Sequence, residues 1–380
     1  MHGNNQIHEP AEKTTGSTRR GALQRLDSWV GQAPWWLLSS ALFVIALLKS
    51  GIALEVAAQQ ANPSFPYPEV GTVDGLSYGL PTIVWLLGIQ GQTTTIGLVA
   101  FVLIVIGFLI AAYLVSRTFA GPSRALGLIA LGLGPTITVL LGNIGRHDLL
   151  VVYGAVIVGL RGHKWWGLAV GTILMFLGNP EQTIVALGAL TILSFAPAFR
   201  ESLQRVATAT LVALLALVLL QTWAASMGAL GRSDWLGYHL RIGLLNFFGN
   251  GYLSLFAGYS ILWVFVIWVI VKAPSRSRAI YSVALIAVPF TATVLTADQT
   301  RVFVGVSTAA LFTVLRVHLA DFTAALLRLT PNAVAWSAIA ALFIPSIDIT
   351  YRGFQRIPLQ WVYDAFVNSG IIERIGVGPW

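Results

Sequence analysis

The stretch Leu141–Leu150, LGNIGRHDLL, sets Arg146, His147 and Asp148 in a row between two apolar runs. Three adjacent ionisable side chains are costly in hydrocarbon, so a chain that submerges them must turn them toward one another or toward water. The rest of the sequence decides which solvent applies. Of 380 residues, 56% are hydrophobic and 10% charged, and the mean hydropathy is +0.76. Soluble domains carry about 25% charged residues, so the bilayer is the solvent for most of this chain. The reading is an all-α, polytopic transmembrane helix bundle. Cysteine is absent, which excludes disulfides, thiolate metal sites and cysteine nucleophiles. The net charge of +8 is carried by short loops between apolar runs. It therefore reads as a topology signal and not as a nucleic-acid surface.

Outward from LGNIGRHDLL, apolar runs predict about eleven spans, near residues 35–54, 94–116, 125–141, 149–160, 165–178, 183–195, 206–227, 253–271, 279–296, 302–315 and 333–347. The chain divides into a basic N-terminal segment, 1–33, expected to be disordered and cytoplasmic, a bundle over 34–348, and an external tail over 349–380. No small-residue cleavage pattern follows the first apolar run, so it is read as a retained span. The first external loop, 56–81, holds Pro63, Pro66 and Pro68, which forbid a regular helix, and the acids Glu69 and Asp74. A second outer segment, 228–251, carries Arg232, Asp234, His239 and Arg241 among aromatic residues and reads as an interfacial helix.

Placing the N-terminus in the cytoplasm puts 15 of the 23 basic residues inside and 7 outside, with Lys49 inside a span. This satisfies the positive-inside rule. The same alignment gives a depth ruler. Measured from Arg161, Lys164 and Arg316 at 1.5 Å per helical residue, Asp148, Glu181, Arg301 and Asp298 lie ~20, ~26, ~22 and ~27 Å toward the outer face. In a core about 30 Å thick, all four fall in its outer third. Three hairpins thus deliver Arg146, His147, Asp148, Glu181, Asp298 and Arg301 to one depth, where they predict an outward-opening cleft.

Each motif also has a structural reading. Asp148 fits the first turn of a helix, Pro180 fits the N1 position, Asp298 and Arg301 fit an i,i+3 ion pair, and Lys49 fits snorkelling to the interface. The functional reading of Lys49 is pairing with a carboxylate or a substrate phosphate in the outer cavity. There is no Walker loop, GxSxG or HExxH pattern. Aspartate and histidine are competent for a divalent metal, but the spacing identifies no ligand set or cofactor.

With a cytoplasmic N-terminus, many spans and Asp74 in the loop GTVDGLSYGLP after the first span, the chain resembles the GT-C-type polytopic membrane glycosyltransferases and polysaccharide polymerases. The resemblance implies a cell-membrane enzyme of cell-envelope polysaccharide biosynthesis. It implies a polyprenyl-phosphate-linked sugar donor, a glycan or lipid acceptor, and a catalytic acid in the first external loop, here Asp74. Asp148 and Glu181 are the other candidate catalytic residues, and Arg146, His147, Asp298, Arg301 and Lys49 the candidate substrate and phosphate ligands. The alternative reading is a transporter or lipid-linked-oligosaccharide flippase, and a second alternative is a non-catalytic membrane assembly subunit.

Overall fold

The structure is a computed structural model that describes residues 15–54, 65–67, 76–228, 232–296, 298–344, 349–350 and 353–354. Residues 15–20, parts of 232–255 and the four strand residues are described by backbone alone. The described chain is helical apart from one two-residue antiparallel pair, Ile349–Thr350 with Gly353–Phe354. In chain order the helices are α1 (Thr15–Gln32), α2 (Trp35–Ser50), α3 (Gly79–Leu86), α4 (Thr93–Thr118), α5 (Gly121–Gly132), α6 (Pro135–Gly142), α7 (Asp148–Arg161) and α8 (Trp165–Gly178). There follow α9 (Pro180–Leu193), α10 (Leu203–Ser226), α11 (Arg232–Tyr259), α12 (Trp263–Lys272), α13 (Ser275–Ser282), α14 (Val288–Val294), α15 (Gln299–Leu329) and α16 (Ala333–Phe343).

Among the described residues, five helical segments are long and apolar enough to cross a membrane: 93–118, 121–142, 197–226, 275–294 and 299–329. A sixth is counted if α1 and α2, bent by 116° at Pro34, form one broken span. The most apolar windows need not be buried in protein: that of 197–226 is only 11% buried, and Leu211, Val212, Leu215 and Leu219 face outward. Such surface is stable against hydrocarbon and not against water. At the centre stand α5 with α6, α7 and the first half of α15, whose side chains are mostly buried.

Two expectations change. Residues 1–33 were expected to be disordered, yet Thr15–Gln32 is helical. Leu23, Asp27 and Val30 turn one face toward the bundle, the spacing of a helix stripe. Asp27 accepts the Ala335 N–H at 3.0 Å, and Arg124 donates to the carbonyls of Gly31 and Ala33 at 3.2 and 3.1 Å, closing the helix end. Second, the runs around Asp148 and Glu181, expected as spans of a core about 30 Å thick, form short helices. α7, α8 and α9 are 14 residues each, about 21 Å. Their breaks are buried in protein, where irregular backbone at membrane depth is tolerated. Only α15 runs on, 31 residues through Arg316 and Asp321.

Glycines set how closely the central helices approach. α8 runs back along α7, and a Cβ on Gly171 or Gly154 would lie 2.6 Å from the other's carbonyl oxygen. A Cβ on Gly178 would lie 3.1 Å from His147 O. Small residues at such positions let membrane helices touch through their backbones, and this seam brings the start of α9 beside the start of α7.

Candidate functional site

The turn between α6 and α7 is built by its own sequence. Asn143 donates its side-chain amide to Val139 O at 2.8 Å, and Arg146 N donates to Asn143 O at 3.1 Å. Gly145 takes φ 97°, a backbone that a Cβ opposes. Asp148 then opens α7 in its first turn, where a carboxylate complements the helix dipole.

Asp148 meets Arg301. The Arg301 guanidinium donates from Nη1 to Asp148 Oδ2 at 3.2 Å and from Nη2 to Asp298 Oδ2. The side chains of Asp148, Arg301 and Asp298 are 3%, 11% and 17% exposed. Asp298 is the N-cap residue of α15 but makes no capping bond; its carboxylate serves Arg301 instead. One turn along α15, Gly305 faces Gln182 and Val151, and a Cβ there would collide with the Gln182 side-chain oxygen. Gly305 thus lets α15 close onto α7 and α9 and sets the reach of Arg301.

Asn179 caps α9, its Oδ1 accepting the Gln182 N–H at 3.0 Å, and Pro180 occupies N1 as the Asn-Pro pair demands. The cap fixes which way the amide points, so Nδ2 is the group that faces His147 Nε2, at 3.5 Å. Nε2 is then the acceptor, and a neutral ring carries its proton on Nδ1. His147 is buried, whereas Arg146 and Glu181 are half-buried. The cluster therefore has a buried floor, Asp148 and His147, and an accessible rim.

The starts of α7, α9 and α15 thus converge with Asp148, Asn179, Glu181, Asp298 and Arg301. The ion triad carries one net negative charge, and three helix N-termini supply compensating partial positive charge. Asn179 and Gln182 are the additions to the sequence-derived set; in the stretch Asn-Pro-Glu-Gln the sequence reading took Pro180 as a helix start and Glu181 as a candidate, and passed over their two neighbours.

Two sequence candidates stand apart. Lys49 is buried in α2 and donates from Nζ to Ala341 O at 2.5 Å. Its ammonium serves the C-terminal end of α16, where a cation complements the dipole. Asp74 and Glu69 lie outside the described residues. Both ends of their loop are nonetheless fastened beside the cluster. Ala53 N donates to Leu141 O and Ile144 N to Ala53 O, each at 3.0 Å; at the return, Gly79 packs on Leu150 and Leu177. Among the described residues, no three His, Asp or Glu side chains gather as a metal site. An apolar groove of about 350 Å³ lies between α5, α12, α15 and α16. It follows residues 315–326 of α15, beginning ~21 Å along the helix from Arg301, and is separate from the cluster. Comparison with protein-family models, curated proteins and solved structures finds no match to the chain.

Proposed function

We propose that the protein is an integral-membrane glycosyltransferase or glycan polymerase that uses a polyprenyl-phosphate-linked sugar at the Asp148–Arg301–Asp298 cluster. In this reading the chain crosses the bilayer about eleven times, its N-terminus is cytoplasmic and the cluster opens on the extracytoplasmic side of the cell membrane. The supporting observation is the meeting of three helix starts, which sets a carboxylate, an arginine and a hydrogen-bonded histidine together inside an apolar bundle.

The chemistry follows from charge. The acceptor hydroxyl attacks the anomeric carbon, and the bond from that carbon to the phosphate oxygen breaks. The hydroxyl proton passes to Asp148, and polyprenyl phosphate leaves with the electron pair. As Asp148 is neutralised, the charge of Arg301 is freed from one of its two carboxylates while negative charge grows on the leaving phosphate. An arginine fork suits that phosphate, and stabilisation that increases toward the transition state is the kind that accelerates a reaction. Arg146 is the second phosphate partner, and His147 or Glu181 orients the acceptor. Asp74 acts from the first external loop, as the family resemblance implies. The donor enters laterally from the bilayer.

Replacing Asp148, Asp74 or Arg301 by Ala is expected to abolish the surface glycan while the protein stays in the membrane at its normal level. Normal glycan from all three variants would overturn the assignment. The second reading, a transporter or flippase, draws on the burial of the Asp148–Arg301 pair, an arrangement also used in proton relays. Substrate movement without bond cleavage, lost in the same variants, would favour it.

A further inference from the structure

At the end of α7 opposite Asp148, beside the middle of α15, the turn Gly162–Lys164 closes over a small cavity of about 20 Å³. His163, Ser194, Ser202 and Arg316 supply its polar wall. Arg161, Lys164 and Arg205 lie close enough to His163 to act on its charge. Arg205 is tied to the same turn, donating from Nη1 to His163 O at 2.5 Å. Burial, followed by Arg316, Lys164, Arg161 and Arg205, holds the His163 imidazole below its usual pKa. Four cations therefore act on one histidine.

Among the described residues, none of these five side chains forms an ion pair. Glu201 is the adjacent acid, yet Arg205 reaches its backbone carbonyl, at 3.4 Å, and Glu201 itself is exposed. Buried His163 Nδ1 and Arg316 Nε have no hydrogen-bond partner. The Ser194 and Ser202 hydroxyls, 3.2 Å apart, donate to Leu190 O and Phe199 O at 2.8 and 2.7 Å and leave their oxygen lone pairs toward each other. A half-buried guanidinium with no counter-charge is costly, and an anion in the cavity would remove that cost. Trp165 and Trp166 follow the turn at 76% and 40% exposure, the mark of the headgroup level.

We propose that this cavity binds a phosphate group, carried by an anionic lipid headgroup or present as free phosphate. Basic pockets between helices at the cytoplasmic surface recognise phosphate headgroups in this manner. The site is independent of the transferase reading, since it lies at the other end of the bundle.

The test uses the full chain in nanodiscs of phosphatidylcholine, with or without phosphatidylglycerol. Retained phosphatidylglycerol is counted by native mass spectrometry, and inorganic phosphate is titrated into the phosphatidylcholine discs by calorimetry. Lys164→Gln, on the exposed rim, is expected to weaken binding about fivefold, and Arg316→Gln at least as much. Arg276→Gln, which removes an exposed cation outside the cavity, is expected to leave binding unchanged. The same ranking with phosphatidylglycerol identifies a lipid headgroup, and with phosphate in phosphatidylcholine discs a soluble anion. Equal weakening by Arg276→Gln and Lys164→Gln, or no binding of either probe to the wild type, overturns the proposal. Lys164→Gln keeps the test decisive if Arg316→Gln fails to insert.

Discussion

Gly145 shows how much one residue fixes. Its φ of 97° turns the chain so that Arg146 leaves the α6 axis and Asp148 enters α7 facing α15. A Cβ in left-handed backbone costs about 1–2 kcal/mol. Gly145→Ala is therefore expected to lower stability by that amount, read as a reduced midpoint of thermal unfolding in detergent, and to weaken the Asp148–Arg301 contact. An unchanged midpoint would show that the turn tolerates a side chain. Lys49 is the contrast. Its charge and depth resemble those of Arg301, but sequence does not say which neighbour will lie 292 positions away, and here that neighbour is the Ala341 carbonyl. Asp148 and Arg301 could be placed at one depth, though not paired, because both could be measured from an inner cation along a helix. For Lys49 no such ruler exists.

At the scale of elements, the segment 275–294 shows how a membrane helix absorbs proline. Pro289 has no N–H to give to Leu285 O. The helix widens to a π turn over Val283–Ala287, and Tyr259, fully buried, donates its hydroxyl to Leu285 O at 2.7 Å. Removing the hydroxyl would leave a carbonyl under-satisfied in a dry interior, at a cost of about 1–3 kcal/mol. Tyr259→Phe is expected to lose stability in that range with no effect on the Asp148 cluster. Equal stability of the two forms would mean that the carbonyl finds another donor. Much at this scale was legible: the apolar runs marked α4, α7, α8 and α9 closely, because hydrocarbon burial dominates their composition. The break at Leu133–Gly134 between α5 and α6, the helix of α1 and the full length of α15 were not. The first carried a local signal in Gly134-Pro135 that the apolar run masked, and the helix of α1 rests on tertiary contacts such as Arg124 on its end.

For the whole molecule, charge asymmetry is the main theme. The start of α7 and of α15 holds Asp148, Arg301 and Asp298; the end of α7, beside the middle of α15, holds Arg161, His163 and Arg316 with no paired acid among the described residues. In the proposed topology the positive-inside rule places the second end in the cytoplasm. The absence of native cysteine makes this directly testable. With a membrane-impermeant maleimide, Gln92→Cys is expected to label in intact cells and Arg200→Cys only after lysis; the reverse pattern would invert the topology.

The central claim is that the Asp148 cluster performs sugar transfer from a lipid phosphate. The most direct measurement is release of polyprenyl phosphate from a polyprenyl-phosphate-linked sugar by purified protein, wild type against Asp148→Asn. The substitution keeps size and polarity but removes the base. The account predicts turnover by the wild type and at least a hundredfold loss in the variant, within the range expected for a general base, with the fold intact by thermal unfolding. Equal turnover by both proteins would contradict it.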